Sequence, residues 1–291
     1  MATWPRSNAE LDRLDRRDPE FIDRFVRTVG APLQRRFDSE VRGLERMPRG
    51  AALVVGNHNG GTLSPDTFVF GASVYQELGP DQVPWGLAHE FALKIPGIGE
   101  FLTRLGAVRA CHGNANRLFA RGHKVMVYPG GDVEALRPFQ HRNRIVFDGR
   151  RGYVRLAIRE GVPIVPVVAA GAHASLVVLA DGKRVASAFG LSRLLRLKVW
   201  PLAISIPWGL TFGPLPPYWP LRTRILIETL EPIHFERSGS EAARDDRYIA
   251  RCDAEVRARM QATLTRLARE LEDKRERRGL RDRVWPERRS G

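Results

Sequence analysis

Cysteine is scarce in this chain of 291 residues, and long apolar runs are missing. The two cysteines, Cys111 and Cys252, stand far apart and form no metal-ligand pair, which argues against a disulfide framework and favours a reducing compartment. No uninterrupted apolar run reaches the roughly 18 to 20 residues of a membrane-spanning helix. The first twenty residues are charged and lack an apolar core, so no signal peptide is predicted. We expect a cytoplasmic protein that is soluble or lies on a membrane surface.

Acidic residues are also in deficit, with 33 aspartates and glutamates against 47 lysines and arginines, which gives a formal net charge of +14. Such a surface attracts anions, including nucleic acid, anionic lipid headgroups and phosphorylated cofactors. The sequence contains no recognisable zinc, helix-turn-helix or RNA-recognition motif, and its aromatic residues are not interleaved with its basic runs. Nucleic-acid binding is therefore the weaker interpretation, and no nucleic acid partner is expected.

Short apolar strands alternate with amphipathic helices through the middle of the chain. This alternation predicts an α/β fold, with a largely parallel twisted sheet flanked by helices and a site in the loops at the carboxyl edge of the sheet. Nothing in the sequence requires a second independently folded unit, so one domain is expected over residues 1–291. Within it we expect a helical segment over 1–40, a catalytic α/β core over 41–235, an amphipathic helix over 241–279 and a basic tail over 280–291.

One apolar segment, residues 194–221, does not fit this pattern. It carries Trp200, Trp208 and Trp219, and prolines interrupt it throughout. Proline at this density disfavours a regular helix or a central strand, so we predict an irregular segment. Such a segment suits the membrane interface or an acyl-chain groove, or it serves only to cover the core.

A polar, glycine-rich turn follows the apolar run of residues 51–55 and carries His58, which seven residues separate from Asp66. At the carboxyl end of a strand, a His can act as a general base near neutral pH, and a nearby Asp can fix its tautomer. The alternative is a hydrogen-bonded turn histidine without a catalytic role. Backbone N–H groups in this turn, or in a second glycine pair at residues 130 and 131, could stabilise an oxyanion because glycine permits close approach.

Three further motifs follow in order along the chain. Arg109 stands at the exit of a short strand, a Tyr-Pro-Gly-Gly-x-x-Glu turn spans residues 128–134, and a Val-Pro-Ile-Val-Pro-Val strand spans residues 162–167. Together with the His58 turn, these motifs resemble the glycerolipid acyltransferase superfamily, which includes the bacterial lysophosphatidate acyltransferases. The Pro-Gly-Gly turn and the Gly-Arg-Arg-Gly-Tyr segment from residue 149 are most similar to its monoacylglycerol and diacylglycerol acyltransferase-like subgroup.

The first motif departs from the superfamily pattern, in which four residues separate the His from the Asp. Asp66 either folds back to hydrogen-bond the imidazole of His58 or only caps the next helix. The resemblance implies that both residues are catalytic. It also implies a substrate-binding set: Asn57, Gly60, Gly61, Arg109, Pro129, Gly130, Gly131, Glu134 and Arg151. Loop arginines either meet the phosphates of coenzyme A or are merely solvated: Arg137, Arg142, Arg144, Arg150 and Arg151.

The activity that the resemblance implies is transfer of a fatty acyl group from acyl-coenzyme A, or from acyl carrier protein, to a glycerolipid hydroxyl, without a metal or redox cofactor. Lysophosphatidate, monoacylglycerol, diacylglycerol and other alcohols all stay open as acceptors. Direct transfer is expected, because no Ser or Cys stands beside His58 as a nucleophile. An inactive relative that binds lipid or acyl-coenzyme A is the alternative. Peripheral contact with an anionic membrane, on its cytoplasmic face, is expected.

Overall fold

The computed structural model describes residues 7–61, 63–183 and 198–284. The strands within these residues are β1 (Glu40–Arg42), β2 (Ala52–Gly56), β3 (Trp85–Ala88), β4 (Ala107–Arg109), β5 (Lys124–Val127), β6 (Ile164–Ala170), β7 (Val177–Ala180), β8 (Leu202–Ser205), β9 (Gly209–Phe212) and β10 (Leu226–Thr229). Seven of them form the central sheet in the order β1-β10-β6-β2-β5-β3-β4. Only β10 and β6 pair antiparallel among these strands. The predicted mainly parallel sheet is confirmed.

The helices of the described residues are α1 (Asn8–Leu11), α2 (Pro19–Phe25), α3 (Ala31–Arg36), α4 (Pro65–Leu78), α5 (Glu90–Lys94), α6 (Ile98–Arg104), α7 (His112–Phe119), α8 (Gly131–Ala135), α9 (Gly152–Glu160), α10 (Gly239–Ala242) and α11 (Asp246–Val284). A π-helical turn (Val26–Gly30) joins α2 to α3. Asp18 caps the start of α2, because its Oδ1 accepts a hydrogen bond from the Phe21 N–H at 2.9 Å. No helix among the described residues combines the length and the hydropathy needed to cross a bilayer.

β2 lies at the centre of the sheet and positions the candidate site. It runs parallel to both of its neighbours, with Val54 opposite Met126 of β5 on one side and opposite Val165 of β6 on the other. All residues of β2 and β6 are buried, as expected for parallel strands covered on both faces. The loops that follow β2, β5 and β6 therefore meet at one carboxyl edge of the sheet.

Helices cover both faces of this sheet. On one face, α11 presents a buried apolar stripe of four residues that are each at most 1% exposed: Val256, Met260, Leu264 and Leu267. The stripe packs in the same core as Leu53 and Val55 of β2. On the other face, Val69 and Phe70 of α4 pack with Val54. Since both faces are covered, the loops at the carboxyl edge are left to form a site.

The prediction of an irregular segment over residues 194–221 is wrong in part. β8 is the middle strand of a second, three-stranded antiparallel sheet in the order β7-β8-β9. This is possible because Pro201 and Pro207 flank β8 instead of interrupting it, so no ladder hydrogen bond is lost within the strand. Residues 194–197 of that prediction, and residues 285–291 of the predicted basic tail, lie outside the described residues.

Candidate active site

The loop after β2 is anchored at its first residue. The buried Asn57 side chain extends the pairing of β2 with β6, since its Nδ2 donates to the Ala169 carbonyl at 2.9 Å and its Oδ1 accepts from the Ala169 N–H at 2.8 Å. Two backbone groups of β6 that lie beyond the strand ladder are thereby satisfied. Asn57, expected to bind substrate, thus holds the loop to the sheet.

The backbone of His58 is held from two sides by charged side chains. Its N–H donates to Glu134 Oε2 at 2.9 Å, and its carbonyl accepts from Arg137 Nη1 at 2.6 Å. Glu134 and Arg137 are both almost completely buried. Burial raises the pKa of Glu134 to about 7, against the opposing effect of the Arg137 charge. The position of His58 is therefore set by two groups from the loop after β5.

Arg137 uses its whole guanidinium for this purpose. Its N–H groups donate to five oxygen atoms at 2.6 to 3.1 Å: the carbonyls of His58, Glu134, His141 and Arg142, and Oδ1 of Asn59. A guanidinium has five N–H donors, so every donor of this side chain is engaged, and only 2% of the residue is exposed. The expectation that Arg137 meets a coenzyme A phosphate is therefore not supported by this arrangement.

The Pro-Gly-Gly turn owes its glycines to close contacts. A Cβ on Gly130 would overlap the side chain of Glu134 and the carbonyl oxygen of Val146. Gly131 has a φ of +51°, in the left-handed region that favours glycine. Arg150 Nη1 donates to the carbonyls of Pro129 and Gly130 at 3.2 and 3.0 Å. The turn therefore leaves space for the Glu134 carboxylate to accept from the backbone N–H of His58.

The imidazole of His58 has a serine as its partner. Ser64 Oγ lies 2.9 Å from Nδ1, and also 3.1 Å from the Asn59 carbonyl and 3.3 Å from the Gly61 carbonyl. The Ser64 hydroxyl has a single proton, so when it donates to either carbonyl its oxygen is left to accept from the Nδ1–H of His58. In that tautomer Nε2 carries the lone pair. The expectation that no serine acts as the nucleophile stays a prediction.

His58 is neutral at physiological pH. Burial, reinforced by the positive charge of Arg137, lowers the pKa of His58 to about 4. The residue keeps partial solvent exposure, and the Tyr128 ring stands against the imidazole with 4.8 Å between the ring centroids. A neutral imidazole can accept a proton from a substrate, although a pKa of about 4 makes it a weaker base than one matched to neutral pH.

Asp66 does not orient His58 among the described contacts. Its Oδ2 accepts from Asn59 Nδ2 at 2.8 Å, and its Oδ1 has no hydrogen-bond partner among the described residues. The residue is 3% exposed, and burial raises the pKa of its carboxyl to about 6. The reason is the length of the intervening loop, in which Ser64 comes to stand at Nδ1 before the chain reaches α4. Asp66 instead stabilises the loop through Asn59.

Gly60 and Gly61 adopt positive φ angles of +66° and +70° and turn the loop back on itself. The Gly60 N–H donates to Nδ1 of His173 at 3.5 Å, and the Gly61 N–H donates to the Ala135 carbonyl at 3.1 Å. Both groups are therefore engaged within the protein. His173, which the sequence analysis did not single out, is 2% exposed and lies 2.8 Å from the Arg137 carbonyl through Nε2.

Two of the predicted substrate-binding arginines lie away from His58. β4 stands three strands from β2, which is about 14 Å at the usual strand spacing. Arg109 at its end binds Asp12 through two hydrogen bonds, at 3.0 and 2.6 Å. Arg151 stands before α9, with its Nε 3.8 Å from Asp253 of α11. The structure brings together the other predicted residues around the β2 and β5 loops.

A family model described as Acyltransferase matches residues 38–170. An uncharacterised protein of Mycobacterium tuberculosis is 36% identical over 256 residues, which is 86% of this chain and 67% of the relative. A mouse protein named "DGAT1/2-independent enzyme synthesizing storage lipids" is 32% identical over 128 residues, covering 44% of this chain and 37% of its own length.

A crystal structure of PlsC, the 1-acyl-sn-glycerophosphate acyltransferase of Thermotoga maritima, superimposes with a TM-score of 0.53 at 18% identity. The match covers 86% of this chain and 79% of PlsC, and it shows a shared fold. The family model over residues 38–170 identifies an acyltransferase. The chain belongs to the glycerolipid acyltransferase superfamily, as its motifs indicated.

Proposed function

We propose that this protein transfers a fatty acyl group from acyl-coenzyme A, or from acyl carrier protein, to a hydroxyl group of a glycerolipid, with His58 as the general base. The observation that carries this proposal is the imidazole of His58 at the carboxyl edge of the sheet, with its Nδ1 2.9 Å from Ser64 Oγ and its pKa lowered to about 4. An alcohol that attacks a thioester must lose its proton as the new bond forms. The Nε2 lone pair is suited to accept that proton.

The chemistry then proceeds in one direct displacement. The acceptor oxygen attacks the thioester carbonyl while its proton moves to His58, and the tetrahedral oxyanion collapses to expel the thiolate, which takes the proton back from the imidazolium. Three of the four glycine N–H groups near the site donate to protein acceptors, whereas that of Gly130 has none among the described residues. We assign the Gly130 N–H as a donor to the oxyanion.

The acceptor that this site favours is a neutral glyceride. A free guanidinium recognises a phosphate by two parallel hydrogen bonds, but Arg109 makes this pair of bonds to the carboxylate of Asp12. Asp12 is further held by Asn114 Nδ2 at 2.7 Å. A phosphate would have to displace a carboxylate that is already bound by both groups, which supports monoacylglycerol or diacylglycerol over lysophosphatidate.

The test is release of free coenzyme A from palmitoyl-coenzyme A by the purified protein, with each acceptor presented in mixed vesicles. We expect acceptor-dependent release that His58→Ala abolishes and that His112→Ala leaves unchanged, since His112 is exposed at the start of α7. Release that is indifferent to His58, or no release with any acceptor and donor, would remove the catalytic assignment in favour of lipid binding.

The acceptor class is tested with Arg109→Gln. If the acceptor is a neutral glyceride, this change lowers the stability of the fold through loss of the Asp12 pair but leaves the KM for the acceptor within about twofold. A KM for lysophosphatidate that rises at least tenfold in this variant, in an enzyme that prefers lysophosphatidate, would contradict the neutral acceptor while leaving acyl transfer itself intact.

A further inference from the structure

The small sheet β7-β8-β9 has an apolar outer face. Along β8, Ala203 and Ser205 are buried while Ile204 between them is exposed, as the alternation of a strand requires. Ile204 stands opposite Leu210 of β9, and the next outward position of β9 is Phe212. The exposed side of an antiparallel sheet is normally polar. Here it carries large apolar side chains that are 44% to 66% exposed.

The apolar surface continues beyond the strands. Ile206 and Trp208 lie in the turn between β8 and β9, and Trp219 joins them through an isolated bridge to Ile206. We call the set of six residues the outer sheet surface: Ile204, Ile206, Trp208, Leu210, Phe212 and Trp219. Of the eleven exposed large hydrophobic side chains of the described residues, seven lie between positions 179 and 219. Such a concentration marks an interaction surface.

This surface adjoins the loop that carries His58. Tyr218, which precedes Trp219, donates from its hydroxyl to the Gly60 carbonyl and accepts from the Leu63 N–H at 3.3 Å. Leu63 is itself 39% exposed. A partner that covers the outer sheet surface therefore lies next to the loop that carries His58.

Charge identifies the occupant. Residues 199–221 contain no ionisable Asp, Glu, Lys, Arg or His, although 27% of the chain is charged, and the stretch is flanked by Lys198 and Arg222. Arg36 also lies beside it, with its guanidinium 5.2 Å from the Trp219 ring centroid. A charge-free patch with exposed tryptophans, bordered by Arg36 and Arg222 and by a Lys198 whose ammonium is paired with Asp148 at 2.9 Å, fits the interface of a bilayer with anionic headgroups.

We propose that the outer sheet surface docks the protein on an anionic phospholipid bilayer and so presents the His58 loop to lipid substrates. The inference rests on the proposed function only in that a glycerolipid acceptor resides in such a bilayer; docking itself requires no turnover. The Trp208 and Trp219 rings enter the headgroup region, while Leu210 and Phe212 contact the acyl chains.

The experiment is co-sedimentation of the full chain with phosphatidylcholine vesicles, with and without phosphatidylglycerol. The variant Leu210→Ser/Phe212→Ser is expected to bind anionic vesicles roughly a hundredfold more weakly, from the lost transfer of two apolar side chains. The matched control is Phe91→Ser on α5, since Phe91 is 62% exposed, comparable to Phe212, but lies outside the outer sheet surface; its binding is expected to be unchanged.

Binding of the double variant at the wild-type level, or no binding by the wild type, overturns the proposal. So does a wild-type dimer that the double variant converts to monomers without weakening vesicle binding, because a second copy would then be the occupant. Release of coenzyme A with a water-soluble short-chain monoacylglycerol separates this proposal from the proposed function. The double variant is expected to keep that activity. Absence of the activity in the wild type would refute acyl transfer, whereas the conclusion on vesicle binding would stand.

Discussion

Replacement of Arg137 by lysine tests whether this residue builds the site or binds the acyl donor. The guanidinium donates to five buried oxygen atoms, whereas an ammonium has three N–H donors. At least two acceptors therefore lose their donor. Each buried acceptor left unpaired costs about 1 to 3 kcal/mol, so Arg137→Lys should lower the free energy of unfolding by about 2 to 6 kcal/mol.

The same change should slow catalysis, because the His58 carbonyl accepts one of the hydrogen bonds of the Arg137 guanidinium and loses this support when the planar group is replaced. A displacement of about 1 Å at a catalytic group can cost roughly a hundredfold in rate, and we expect a loss of that order in kcat with little change in the KM for acyl-coenzyme A. Urea unfolding and steady-state kinetics measure the two effects. Arg159→Lys is the control, since Arg159 is exposed on α9 and is not among the arginines expected at coenzyme A.

The opposite pattern would refute this reasoning. If Arg137 bound a phosphate of coenzyme A, the lysine variant would unfold at the wild-type urea concentration and would raise the KM for acyl-coenzyme A. An unfolding free energy within about 0.5 kcal/mol of the wild type, the usual range for surface substitutions, would by itself show that the five hydrogen bonds do not hold the loop.

Three further predictions concern the pH profile, the core and the Pro-Gly-Gly turn. The base must be deprotonated, so with a pKa lowered to about 4 kcat/KM should stay near its plateau at pH 5.5, where an ordinary His is only about 9% deprotonated; the pH dependence of kcat/KM measures this. Leu264→Ala should destabilise the fold by about 2 to 5 kcal/mol and Glu272→Ala by less than about 0.5 kcal/mol, as urea unfolding will report. Gly130→Ala should lower kcat at least about tenfold, because the added methyl group collides with the Glu134 side chain, and single-turnover kinetics would detect it.

Local patterns were enough to predict the sheet, the His58 turn and the Pro-Gly-Gly turn. Each depends on short-range features: a buried apolar strand, a glycine at a tight turn, a helix start at a proline. The buried apolar stripe of α11 was likewise predictable, because its apolar residues recur at intervals of three and four along the chain. The first motif contains His58, Ser64 and Asp66, but the sequence does not show that His58 pairs with Ser64 while Asp66 pairs with Asn59.

The partners of the site could not be predicted because they come from distant parts of the chain. Arg137 is 79 positions from His58, His173 is 113 positions from Gly60, and Asp12 is 97 positions from Arg109. In the sequence, a loop arginine whose N–H donors all bind a buried turn cannot be distinguished from a solvated arginine. The signal that remains is spacing, since Arg137 follows Glu134 by three residues and its N–H closes a turn on the Glu134 carbonyl at 3.3 Å, just after α8 ends.

The longer loop between His58 and Asp66 changes which residue supports the base. Ser64 Oγ lies 2.9 Å from Nδ1, and as a neutral oxygen it stabilises the imidazolium less than a carboxylate in that place would. Removing this one hydrogen bond should cost about 1 to 3 kcal/mol, or roughly 5- to 150-fold in kcat for Ser64→Ala. Asp66→Asn keeps the acceptor for Asn59 and should cost less than about tenfold.

Measured kcat values for these two variants discriminate three arrangements of the site. The expected order is a larger loss for Ser64→Ala than for Asp66→Asn, with KM values near the wild type in both. A loss of about four orders of magnitude in Asp66→Asn, as in triads that lose their carboxylate, would mean that Asp66 reaches His58 when substrate is bound. A Ser64→Ala enzyme with no activity, together with an acyl group trapped on Ser64 of the wild type, would instead make Ser64 an acylated nucleophile. Its 7% exposure and its two carbonyl neighbours argue against that role, because a hydroxyl committed to a backbone carbonyl has no proton to give to His58.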